Sequence, residues 1–178
     1  MKQKIIFQIF LFLATIFLSF FFISCDENDV TYSYQIYYLE DSNLSYTDIE
    51  NKPIDKLVLQ KSPIITEKDL DTFTVLYSEN NPVQSYRITY NRSIKENFGE
   101  QVLPFVLVLN GKRIYIGECW PSFMSIVPKS ILLYRLRENE SWLQPNDDRG
   151  NVKLKDQRIF DTLKNLDIAI KYENIGGD

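Results

Sequence analysis

Chemistry in this 178-residue chain has to come from a restricted set of side chains. Histidine is absent, which removes Ser-His-Asp and Cys-His catalysis, histidine-ligated zinc and any histidine pH switch. There are two cysteines, Cys25 and Cys119. Cys119 lies between Glu118 and Trp120 with no candidate base at hand, and reads as a small buried hydrophobe. Asp147 and Asp148, with Asp156 or Asp161, could offer oxygens to a calcium ion, which takes roughly six to eight such ligands. The spacing is not that of an EF-hand, and Pro145-Asn-Asp-Asp-Arg-Gly150 is ordinary turn chemistry; no metal and no cofactor are expected. Glu118, Glu138 and Glu140 together with Asp147 and Asp148 could in principle supply a hydrolytic carboxylate pair, although no pair is singled out. The aromatic residues Tyr115, Trp120, Phe123 and Trp142 are the more suggestive set. Exposed, they would form a sugar-stacking or partner-binding platform; buried, they are core and loop packing.

The elements that must position these residues are mostly strands. Val30–Leu39 is rich in tyrosine and β-branched residues, with Tyr32, Tyr34 and Ile36 on one face and Ser33, Gln35 and Tyr37 on the other. A helical turn fits Tyr46–Glu50, a short strand Leu57–Leu59, and a brief helix Glu67–Asp71 behind the capping-box-like Thr66-Glu-Lys-Asp69. Phe73–Tyr77 and Val83–Tyr90 form a hairpin across Asn80-Asn-Pro82, and Ile94–Phe98 a short helix ending at Gly99. The clearest local signal is Pro104–Leu109, Asn110-Gly111, then Lys112–Trp120, because Asn-Gly accepts the positive φ values of a type I′ hairpin turn. Phe105, Leu107 and Leu109 share one face and Val106 and Val108 the other, which describes a central strand covered on both sides. Pro121–Pro128 reads as a loop, Ile131–Leu136 as a strand and Glu138–Asn151 as the most polar, turn-rich segment. Asp156 caps a helix over Gln157–Leu166, and Ile168–Tyr172 is an edge strand before a mobile tail.

The start of the chain dictates placement. After Lys2 and Lys4 no charge occurs from Ile5 to Ser24; the run then ends Phe22-Ile-Ser-Cys25 and turns acidic at Asp26-Glu-Asn-Asp29. A basic start, an apolar middle and a small residue before the cut make a secretory signal. The ending resembles the lipobox of bacterial lipoproteins, with Phe22 where an aliphatic residue is usual. That resemblance implies cleavage after Ser24 and a diacylglyceryl thioether on Cys25. An uncleaved transmembrane anchor is the alternative, since twenty apolar residues would span a bilayer. Either way residue 26 onward faces outward. The acidic residues after Cys25 resemble the surface-export tag of Bacteroidetes lipoproteins; as a plain tether they would repel one another and extend. Without residues 1–24 the chain carries 18 basic and 24 acidic side chains, a net of −6, which argues against nucleic acid and against an electrostatic grip on anionic lipid.

Further in, Pro63-Ile-Ile-Thr-Glu-Lys-Asp-Leu70, a middle strand ending in Tyr90, Pro104 to Gly117 and the Trp120-Pro-Ser-Phe loop follow in a distinctive order. With Asp148-Arg149, Asp156-x-Arg158-Ile159 and Leu163-Lys164, this resembles a group of small uncharacterised Bacteroidetes lipoproteins over residues 31–166. In layout it is also similar to the periplasmic P1 head unit of the SecD translocase subunit. The shared motifs are turns, caps and core strands, so the resemblance implies fold rather than a catalytic set.

The sequence therefore predicts an α+β domain, an antiparallel or mixed sheet with short helices and a C-terminal helix packed on it. The expected organisation is signal peptide 1–24, lipidated tether 25–29, domain 30–172 and tail 173–178. The expected function is binding of a protein or glycan partner by an outer-membrane lipoprotein, surface-exposed or else periplasm-facing. Its contacts would be Tyr115, Trp120, Phe123, Trp142, Asp147 and Asp148, in and around the loops 120–127 and 138–149. An envelope hydrolase and an accessory factor of envelope biogenesis or protein export are the alternatives. Replacing Cys25 by alanine should abolish lipid labelling and leave the precursor uncleaved; a mature species of normal size would instead mean an ordinary signal peptide.

Overall fold

A computed structural model describes residues 31–78, 81–121, 130–145 and 152–176, so Cys25, the apolar leader and the acidic tether lie outside the described residues. Nine strands form one sheet. They are β1 (Tyr34–Tyr38), β2 (Ile65–Thr66), β3 (Leu70–Ser78), β4 (Asn81–Tyr90) and β5 (Leu103–Leu109). Then come β6 (Lys112–Trp120), β7 (Ile131–Arg137), β8 (Glu140–Gln144) and β9 (Ala169–Asn174). Two α-helices, α1 (Tyr46–Ile49) and α2 (Gln157–Asn165), three single 3₁₀ turns and helical residues 152–154 complete the described elements. The strand order is β2-β1-β5-β6-β7-β8-β4-β3-β9. Neighbours are antiparallel except for β6–β7 and β3–β9, so the sheet is mixed.

The order hides a constraint. β2 and β3 are seven steps apart in the sheet, about 34 Å if it were flat, at roughly 4.8 Å per strand. Yet only the turn Glu67–Asp69 separates them in the chain, and the run from Ile65 to Leu70 reaches at most about 18 Å. The sheet must curl. Its concave side gathers Tyr34 and Ile36 of β1, Phe73 and Val75 of β3, Tyr86, Ile88 and Tyr90 of β4, and Phe105, Leu107 and Leu109 of β5 into one core. Ile159 and Leu163 of α2 complete it. A smaller core on the convex side packs Val106, Val108 and Ile116 against Ile49 and Leu57.

Local chemistry explains the joints. Asn110 and Gly111 have φ of 52° and 73°, the left-handed pair that the type I′ hairpin needs. A register shift between Leu107 and Val108 marks a β-bulge, after which Tyr115, Gly117 and Cys119 fall on the concave side. Gly117 stands opposite Phe105, and a Cβ there would come within 2.5 Å of the Phe105 ring, so glycine is required by the close approach. The C-terminal helix starts as predicted, with Asp156 Oδ1 accepting from the Arg158 N–H at 3.0 Å. It ends when Asp167 turns to φ 56° and the Ile168 N–H reaches back to the Leu163 carbonyl at 3.0 Å.

Some boundaries differ from expectation. Leu57–Leu59 contributes only an isolated bridge, Leu39 to Leu59; the short strand in this region is β2. The brief helix after Thr66 shrinks to one 3₁₀ turn, because Leu70 already begins β3. Glu140–Gln144 is a strand rather than part of the turn-rich segment, burying Ser141 and Leu143 on alternate positions. From Thr31 to Asp178 the chain forms one compact unit.

Asp69 pins the link that makes the sheet curl. Its carboxylate accepts from the Thr66 N–H (2.8 Å) and hydroxyl (3.1 Å) and from Arg92 Nε (2.6 Å), while its carbonyl accepts from the Asn91 N–H (3.0 Å). Burial pushes its pKa up, but the bonds from Arg92 and Thr66 outweigh that and hold it below the usual carboxylate range. Asp69→Ala should destabilise the domain by about 1–3 kcal/mol at pH 7. Because the folded pKa is depressed, this contribution exists above the unfolded value of about 4 and fades as pH falls through the folded one. Denaturant unfolding at pH 7 and at pH 3 should show the gap between wild type and mutant closing on acidification.

Candidate functional site

Of the aromatic set, Tyr115 and Trp120 are not surface residues. Tyr115 is 2% exposed and Trp120 5%, which corrects the reading of both as exposed contacts. The β5–β6 register explains Tyr115: it lies opposite Leu107, inside the curl, with its ring 6.1 Å from that of Phe105 at 73°. Phe123, Asp147 and Asp148 fall outside the described residues, as does the suggested calcium loop. Among the described residues no cluster of three or more acidic or thiol groups could hold a metal ion.

Trp120 and Trp142 do meet in register, through a residue that the sequence did not single out. Trp120 of β6 pairs with Tyr134 of β7, Tyr134 with Trp142 of β8, and Trp142 with Arg87 of β4. Register partners share a face, so three rings and a guanidinium form a row across the convex side. The rings of Tyr134 and Trp142 are half-buried and 5.9 Å apart, tilted by 58°. Burial raises the Tyr134 pKa. At the end of the row Arg87 ion-pairs with Glu140 at 3.4 Å and with Glu173.

Beside this row runs an open groove of about 520 Å³, lined by Lys95, Pro121, Tyr134, Arg135, Leu136, Arg137 and Glu138. Two bonds build it: the Ile94 N–H donates to the Glu138 carbonyl at 2.7 Å, and the Tyr90 N–H to the Asn139 carbonyl at 2.9 Å. They seat the β7–β8 turn against the end of β4 and bring Lys95 to Arg135. Three cations and one carboxylate thus line it, together with Tyr134, Leu136 and Pro121. Among the described residues Arg137 makes a long 3.6 Å contact with Glu140, and its side chain is largely exposed, so that pair restrains it little. The signal that could have found the groove is the alternation Glu140-Ser-Trp-Leu-Gln144: as a strand, it forces Trp142 beside Tyr134. The arrival of Lys95 depends on backbone bonds that no local pattern encodes.

The remaining reactive group is Cys119, buried on the concave side. The Tyr38 hydroxyl lies 3.1 Å from its sulfur and 2.9 Å from the Asn97 carbonyl. Burial pushes the thiol pKa up to about 12, against a smaller downward effect of the Tyr38 bond, so at neutral pH it is a neutral thiol rather than a nucleophile. Of the carboxylates that could have formed a hydrolytic pair or a calcium site, Glu118 accepts from the Ser130 hydroxyl at 3.1 Å, Glu140 ion-pairs with Arg87, and Asp156 caps α2.

No family model matches the chain. It is similar to aldehyde dehydrogenase family 3 member H1 of Arabidopsis thaliana, 26% identical over 156 aligned positions, covering 71% of this chain and 32% of that protein. The chain spans about a third of that relative's length, and a likeness of this depth and coverage shows neither a family nor an activity. Among the described residues no helix is long and apolar enough to cross a membrane. The buried thiol yields a direct check. Native protein should leave Cys119 unmodified by iodoacetamide at pH 8, and denaturant should expose it; ready alkylation of Cys119 in the folded state would contradict the burial.

Proposed function

We propose that this chain is a lipid-anchored envelope protein whose domain binds a protein or glycan partner at the groove between the β7–β8 turn and Lys95. The observation that carries the binding reading is the groove's composition. Lys95, Arg135 and Arg137 sit beside a tyrosine and a leucine, on a chain whose net charge is −4. A local excess of cations on an acidic body selects anionic groups on a partner, and the apolar wall supplies contact area.

Anchoring rests on the uncharged run up to Ser24 and on Cys25 behind it; two or more acyl chains would hold the protein stably, at about 0.8 kcal/mol per buried methylene. The resemblance to small Bacteroidetes lipoproteins and the acidic residues 26–29 support outer-membrane placement with the domain facing the surface. The described chain enters beside the hairpin turn, where the Ser33 N–H donates to Asn110 Oδ1 at 2.8 Å. Pro121 closes the other end of β6, nine residues on from Lys112, about 30 Å away at the rise of a strand.

Crosslinking in intact cells tests the reading. Arg135→Glu with Arg137→Glu should reduce recovery of the crosslinked partner at least about tenfold, while Lys164→Glu on the exposed face of α2 should not. A partner set unchanged by the double reversal would overturn this choice of surface.

A further inference from the structure

The sheet ends at β9, and that edge is unlike the other. β2 closes the opposite edge with two residues, whereas β9 offers six. β9 pairs in parallel with β3, Thr72 opposite Ala169 through to Tyr77 opposite Asn174, and the Ile175 N–H donates to the Tyr77 carbonyl at 2.8 Å. In a parallel strand each residue turns both its backbone groups to the same side, alternating along the chain. Ala169, Lys171, Glu173 and Ile175 therefore address β3. Ile170, Tyr172 and Asn174 direct their N–H and C=O groups to the open edge. Tyr172 is 70% exposed and Ile175 53%, so the edge carries apolar surface as well as backbone groups that find no partner strand among the described residues.

Exposed edges are normally blunted, often by lysine. Here Lys171 and Glu173 flank Tyr172 symmetrically, and the symmetry makes the strand complementary to itself. We propose that β9 is a self-association strand: two copies join edge to edge, antiparallel, about a two-fold axis at Tyr172. In that register Tyr172 opposes Tyr172 of the second copy as a hydrogen-bonded pair, and Ile170 opposes Asn174. Lys171 meets Glu173 of the second copy at the narrow, non-hydrogen-bonded position, where Cα atoms are about 4.5 Å apart. The Lys171–Glu173 pair occurs twice, once on each side of the axis, as a two-fold interface requires.

Glu173 is already placed for this. It lies on the convex side with Arg87, which holds it together with Glu140, so the incoming lysine completes a charge row rather than ordering a loose carboxylate. The neighbouring registers lack the match. Centred on Ile170, Lys171 meets Ala169 and Glu173 meets Asp167, two like charges; centred on Asn174, Glu173 meets Ile175. The pairing is independent of the groove, which shares none of these residues.

Sedimentation of the purified full chain in detergent, over a concentration series, tests this. The wild type should dimerise. Lys171→Glu should weaken the dimer roughly tenfold, since it places two glutamate pairs across the axis. Glu173→Lys should do the same, and the double exchange Lys171→Glu with Glu173→Lys should restore the dimer. Lys164→Glu, the same charge change on α2, should have no effect, and thermal midpoints establish that each variant is folded. A monomeric wild type, a dimer indifferent to the single reversals, or a double exchange that fails to rescue would each overturn the proposal.

Discussion

The fold depends on one short connection. Ile65 and Leu70 belong to strands near opposite ends of the sheet order and are joined by a single 3₁₀ turn. A link of that length cannot cross a flat sheet, so the sheet is bent until its ends approach one another. Everything on the concave side follows: Tyr34 of β1 and Tyr90 of β4 can share a core only because the intervening strands curve around it. Asp69 is the fastener, holding the turn on one side and Arg92 on the other. The nearby Asn97 side chain adds a tie, donating to the Ile64 carbonyl beside β2.

Curvature also sorts the aromatic residues. On the concave side the rings of Phe73, Tyr86 and Phe160 pack within about 6 Å of one another, and the Tyr86 hydroxyl donates to the Leu154 carbonyl at 3.0 Å. On the convex side Tyr134 and Trp142 stay half-buried next to charged neighbours. Tyr134 of the second group borders the groove. Among the described residues, about half of the aromatic side chains close the interior.

What could be read beforehand was local. Asn110-Gly111 announces its turn by backbone requirement, and the alternation of Phe105 to Leu109 states that both faces of β5 are covered, as the two cores confirm. The cap at Asp156 and the spacing of Ile159 and Leu163 were equally plain. The misses have physical reasons. Strand β8 lies in a segment whose Asn, Pro, Asp and Gly content signals turns, and five residues are too few to outweigh it. Strand β2 is two residues long and exists only through its neighbour, Ile36 opposite Ile65. Tyr115 was misplaced because the β-bulge before it decides which side it takes, and bulges leave no reliable trace in composition. The groove needs three segments distant in sequence, joined by backbone hydrogen bonds, so its cations could be counted but not assembled.

The parallel pairing of β9 with β3 has a consequence for the order of events. It joins the last described strand to one that begins about a hundred residues earlier, and α2, which closes the concave core, immediately precedes it. Such pairings are the slow ones in folding, because a long loop must close before they yield any stabilisation. The curled sheet therefore stays unfinished until the C-terminal segment is free to join it. Were the chain exported from its N-terminus, as proposed above, that delay would keep it passable during passage, with completion on the far side.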